Sequence, residues 1–117
     1  MMAPVRGADQ RLSRRSDFTK VMRHGRRSRS RLLRLAAHEN GLNHNRYGFA
    51  ISRRVGNAVV RNKARRRLRS IIRQTVLTTG NDIVITADPI VSNASFREIT
   101  QAFESIALKL SLIEGFE

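Results

Sequence analysis

Apolar residues recur along this chain with two periods, and the periods predict its elements. Phe18, Val21 and Met22 lie three and four residues apart. That spacing predicts a short helix, capped by Ser16, with Asp17 suited to its first turn and Gly25 at its end. Residues 32–38 alternate, with Leu33, Leu35 and Ala37 on one side and Leu32, Arg34 and Ala36 on the other. Tyr47, Phe49 and Ile51 alternate with Gly48, Ala50 and Ser52 in the same way. Both stretches predict strands, and the polar turn from Asn40-Gly41 to Asn45 suggests a hairpin between them. Val60, Ala64, Leu68, Ile71, Ile72 and Val76 keep a helical period, so a long helix is expected over residues 58–77, stopped by Gly80-Asn81. Residues 83–87 are short, apolar and largely β-branched, as a buried central strand should be, and Asp88-Pro89 ends them. Ser95 and Glu98 have capping-box spacing and open a last helix to about Leu112, with Ile99, Phe103, Ile106 and Leu110 as its stripe.

The predicted order is α-β-β-α-β-α, a single-domain α+β sandwich of helices on a small sheet, with a parallel crossover between 46 and 87. Residues 26–31 read as a basic connector. Residues 1–11 lack periodicity and are expected to be a disordered basic arm, leaving 12–114 as the domain.

Composition narrows the class. A chain of 117 residues accommodates one domain. The absence of Cys removes disulfides and thiolate metal sites and fits a reducing compartment. No apolar run approaches the ~20 residues needed to span a bilayer, and residues 1–15 carry no signal-peptide block. A cytoplasmic protein without a membrane partner is expected.

Charge then points to a partner. Residues 1–73 hold 21 of the 23 Arg and Lys and three of the nine acids; residues 74–117 hold the other two cations and six acids. A net charge of +14 that is segregated along the chain suggests one polyanion-binding side and one ordinary side, rather than a solubility device. The segment 56–69 concentrates the effect. Arg61, Arg65, Arg69 and Arg73 repeat every four residues on the long helix, and no acid lies between positions 40 and 81. Like charges at that spacing cost a few tenths of a kcal/mol per pair, a penalty that a polyanion would remove. Gly56-Asn57 lacks the nucleotide-loop pattern; a tight turn with Asn57 as the helix cap is the simpler role.

Catalytic groups are not evident. The acids of the basic region, Asp9, Asp17 and Glu39, are scattered, whereas a two-metal nuclease needs them clustered. His24, His38 and His44 are irregularly spaced and read as solvated or phosphate-touching residues rather than zinc ligands. Paired histidines acting as acid and base remain an alternative in principle.

The string Arg53-Arg54-Val55-Gly56-Asn57-Ala58-Val59-Val60-Arg61-Asn62-Lys63-Ala64-Arg65-Arg66-Arg67-Leu68-Arg69 closely resembles the signature of the bacterial ribonuclease P protein subunit. The likeness extends to Arg11-Leu12 through Gly25, with its Asp-Phe pair, and to Asp82-Ile83-Val84-Ile85 and the Pro beyond. The resemblance implies the family's fold, which has a left-handed βαβ crossover like a domain of a small-subunit ribosomal protein. It implies a protein cofactor of a ribozyme that removes the 5′ leader from precursor tRNA. The RNA subunit would carry the active site and Mg²⁺, and the protein would join it 1:1, supply no catalytic residue and bind no metal tightly. Carried over by motif, Arg53, Arg54, Asn57, Arg61, Asn62, Lys63, Arg65, Arg66 and Arg69 would contact RNA. Phe18, Met22, Leu35 and Ser52 would line or border a cleft for the single-stranded leader, with Met22 and Leu35 standing where the family often has aromatics. The rival readings are a small basic ribosomal or ribosome-assembly protein and a stand-alone nuclease. A leader cleft requires Phe18, Met22 and Leu35 to be accessible; a scaffold protein would bury them.

Overall fold

A computed structural model describes residues 10–113. Its elements are β1 (Gln10–Arg11), α1 (Arg15–His24), β2 (Arg26–Arg29), β3 (Leu33–Glu39), β4 (Arg46–Ala50), α2 (Ala58–Gln74), β5 (Asn81–Ala87) and α3 (Phe96–Lys109). Single turns of 3-10 helix at Arg53–Val55 and Pro89–Asn93 lead into α2 and α3. The strands form one sheet in the order β1-β4-β5-β3-β2. β4 runs parallel to β5 and to β1, whereas β3 is antiparallel to both β5 and β2.

The three predicted helices and three predicted strands are present, and the crossover from β4 through α2 to β5 is parallel as expected. The predicted hairpin is not: β5 inserts between β3 and β4 and pairs with both. With residues 83–85 buried on both faces, β5 gains most as the central strand. The basic connector is also partly strand, since Arg26–Arg29 pairs with β3 from Ala37 to Arg34. Gln10 and Arg11, assigned to the arm, form β1 beside Arg46 and Tyr47; the rest of that arm lies outside the described residues.

Helix ends follow local chemistry with two corrections. α1 is preceded by Arg14, which offers no capping side chain, and Ser16 lies inside the first turn. α2 stops at Gln74, where Thr75 turns extended and its hydroxyl donates to the Ile71 carbonyl at 2.7 Å. Val76 therefore points to solvent, 55% exposed, and leaves the expected stripe. The two predicted caps hold: Asn57 Oδ1 accepts from Val60 N at 3.0 Å, and Ser95 and Glu98 form a complete capping box.

Alternation divides the sheet between two layers. Leu33, Leu35, Ala37, Tyr47, Ile83 and Ile85 pack with Leu68, Ile71, Ile72, Phe103 and Ile106 of α2 and α3 in the main core. The opposite face carries a smaller cluster, in which Ala36 and Val84 meet Leu12, Val21 and Phe18 beneath α1. An ion-pair clamp ties α1 to this face. Arg46 donates to both carboxylate oxygens of Asp82, at 2.7 and 2.6 Å, and lies 3.4 Å from Asp17. The hydrogen bonding to Asp82 raises the Arg46 pKa against the opposing effect of burial.

Candidate nucleic-acid interface

Because α1 covers only part of its face, the sheet beside it stays open. The gap is a cleft of about 560 Å³ walled by Met22, with Ala36, Ala50, Val84 and Thr86 among the strand residues lining it and Arg27, Arg29 and Arg34 along its rim. Met22 is 40% exposed, as a cleft wall requires. Phe18 packs against β4 at Gly48: a Cβ there would overlap the ring's Cε2 and stand 2.8 Å from its Cζ. The absence of a side chain at position 48 is what lets the aromatic seat itself.

Leu35 borders this cleft on β3 but offers it no exposed side chain. It is 1% exposed and packs in the main core beneath α2 and α3. Strand parity is the reason: Leu35 shares a face with Leu33 and Ala37, so the cleft receives Arg34 and Ala36. The expectation that Leu35 is accessible like Phe18 and Met22 is therefore corrected, although its position beside the cleft is as expected. Ser52 sits at the end of β4, exposed, where its hydroxyl accepts from Arg54 N at 3.3 Å. Arg53 and Arg54 are exposed beside it.

The cations of α2 divide by direction. At about 100° per residue, Arg61, Arg65 and Arg69 drift slowly along one flank. Arg66 and Arg73 face outward, and Lys63 projects about 160° away from Arg65. The flank is locally organised: Arg61 Nε donates to Gly56 O at 3.2 Å, Arg65 Nη1 to Asn62 Oδ1 at 2.9 Å, and the Arg69 guanidinium lies 5.5 Å from the centre of the Phe49 ring. These contacts hold the side chains in place without neutralising them. Among the described residues the only ion pairs are those of Arg46 with Asp17 and Asp82. Arg67, by contrast, donates to Ala94 O at 3.0 Å and fastens α2 to the turn before α3. Asn57 has its carbonyl oxygen committed to the helix cap.

The α2 flank and the cleft lie on opposite faces of the sheet, and they meet over its edge. β1 ends at Arg11, leaving a hollow of about 290 Å³ lined by Arg11, Phe18, Gly48, Phe49, Arg65 and Arg69 among others. Phe18 also lines a further hollow along α1 together with Met22, the cleft wall, so a polyanion can pass from the helix flank to the cleft along α1. The sequence reading did not place Arg11, Arg27, Arg29, Arg34 or Phe49 at the site. The signal for Arg27 and Arg29 was their own two-residue spacing, which a search for alternating apolar residues ignores.

His24 and His38 do approach each other, with ring centres 6.3 Å apart. Among the described residues no three His, Asp or Glu converge as metal ligands. No described helix is long and apolar enough to cross a membrane.

Comparison with known proteins matches residues 7–111 to the family model described as Ribonuclease P. A ribonuclease P protein component from Acidothermus cellulolyticus is 39% identical over 105 residues, covering 86% of this chain and 88% of its own length. That from Alkaliphilus metalliredigens is 32% identical over 108 residues, covering 91% and 97%. The solved ribonuclease P protein of Thermotoga maritima superposes with a TM-score of 0.76 at 28% identity, covering 90% of this chain and 98% of that one.

Proposed function

The chain belongs to the ribonuclease P protein family, and on that premise we propose that it is the protein component of the ribonucleoprotein that removes the 5′ leader from precursor tRNA. It docks on the catalytic RNA, 1:1, through α2 and the Arg53–Arg54 turn. It holds the single-stranded leader in the cleft, with Phe18 as a stacking surface and arginines on the phosphates. The observation that carries this reading is a chain of hollows: Phe18 shares one with Arg65 and Arg69 of the α2 flank and another with Met22, which walls the cleft. A scaffold protein has no need of an aromatic seated at the entrance to an open groove.

Bond breaking is left to the RNA. The acids nearest the cleft do not fit a Mg²⁺ site: Asp17 and Asp82 are held by Arg46, and Asp88 accepts from Ile90 N at 3.0 Å. Mg²⁺ therefore belongs, in this reading, to the RNA and the substrate. The test is cleavage of precursor tRNA by a bacterial catalytic RNA at low Mg²⁺, with and without this chain. Rescue by the chain is expected. Failure to rescue, or cleavage by the chain alone, would overturn the proposal.

A further inference from the structure

A third cationic feature stands at the tip of the β2–β3 turn. Arg29, Arg31 and Arg34 line a notch of about 360 Å³ that also includes Leu33 and Asp88. It is continuous with the cleft, because Arg29 and Arg34 line both. Arg29 and Arg34 are also register partners across the antiparallel pair, and like charges directly opposite each other destabilise a sheet. Among the described residues no carboxylate forms an ion pair with them. Asp88 caps the following 3-10 turn, and Glu98, near enough for Arg31 to favour its ionised form, accepts from Ser95 N at 2.8 Å. Neither acid forms an ion pair with these arginines.

The tip that carries the charges is held from both sides. Ser30 N donates to Leu33 O at 2.8 Å, and Ser30 Oγ accepts from Leu32 N at 3.2 Å. Leu32 O accepts from Asp88 N at 2.9 Å, tying the turn to the end of β5. Three guanidiniums are thus presented on a fixed support, none in an ion pair, at the mouth of an open groove.

We propose that this notch is a phosphate-binding station for the leader where it leaves the cleft, so that the protein's grip depends on leader length. The proposal rests on the reading of the cleft as the leader site. β5 and β3 separate β4 from β2, so the notch lies about 14 Å across the sheet from the β4 edge. Nucleotides next to the α2 flank cannot reach it; nucleotides farther out along the leader can. Guanidinium forks read the backbone rather than the bases, so the dependence is on length and not on sequence.

The experiment uses holoenzyme reconstituted with a bacterial catalytic RNA. The triple variant Arg29→Ala, Arg31→Ala, Arg34→Ala is compared with the unaltered chain on precursor tRNAs whose leaders are shortened stepwise, and on mature tRNA. The unaltered chain should gain affinity as the leader lengthens. The variant should lose the last part of that gain, about tenfold, with a salt slope shallower by two to three on the long leader. Mature tRNA, which has no leader, should bind equally to both. Arg31→Ala alone, at an exposed turn position, provides a partial loss should the triple variant fold poorly. Equal loss at every length, or weaker binding of the catalytic RNA by itself, overturns the leader assignment and makes the notch a ribozyme contact. A length dependence that the variant shares overturns the notch alone. Indifference of the unaltered chain to leader length overturns the cleft reading and the notch together.

Discussion

Replacing Gly48 with Ala tests the seat of Phe18 without touching the ring's own chemistry. The added Cβ would lie 2.8 Å from Phe18 Cζ, overlap Cε2, and stand 3.3 Å from Cδ2. Ordinary carbon contacts fall at about 3.5–4.0 Å, so the ring must withdraw by about 1 Å or rotate away. It can do so, because Phe18 is only partly buried and its obstructed atoms are the far end of a side chain. The fold should survive while the stacking surface is lost. Base–aromatic stacking is worth about 1–3 kcal/mol, and about 1.4 kcal/mol is tenfold in affinity. Precursor tRNA should therefore bind the holoenzyme roughly 5- to 150-fold more weakly, and mature tRNA should be unaffected. Phe18→Ala should give a similar loss, and the double variant little more than either, because both remove one interaction. Circular dichroism and thermal melting check that the variants remain folded. Additive losses, or equal losses on precursor and mature tRNA, would refute the claim that Gly48 acts through Phe18.

The other predictions concern the α2 surface, the clamp and the last helix. Arg65→Ala with Arg66→Ala should weaken binding to the catalytic RNA and lower its log–log salt slope by about two; an unchanged slope in a filter-binding titration would contradict the assignment. Asp82→Ala should destabilise the fold by about 2 kcal/mol in urea titrations, since it removes two charge-assisted bonds from Arg46, leaving it Asp17 alone, and one from the Asn40 amide. Ser95→Ala should cost about 1 kcal/mol through loss of the α3 cap, read from the denaturation midpoint. The same cap gives a pH dependence. Bonding to Ser95 lowers the Glu98 pKa from its ordinary 4.5, so its contribution is full above that value and fades as pH falls through the lower folded-state value. A Glu98→Gln variant should lose less stability on that acid descent than the unaltered chain.

What could be read along the chain was what local chemistry decides. The stripe of α2, its Asn57 cap and the Ser95–Glu98 capping box each depend on residues a few positions apart, so spacing revealed them. The segregated arginines likewise marked a polyanion-binding half before any contact was known. β2 escaped because an edge strand of Arg26, Arg27, Ser28 and Arg29 has no apolar alternation; its cations instead discourage pairing with another edge. The position of β5 between β3 and β4 escaped because strand order is set by long-range burial, which no short window contains. Leu35 shows the same limit at a single residue. Alternation put Leu33, Leu35 and Ala37 on one face, but helices cover both faces of this sheet, and only packing decided that this face met α2 and α3. Tertiary structure alone joined the Arg65–Arg69 flank to Phe18 beyond the end of β1, because that surface exists only where elements distant in sequence meet at one edge.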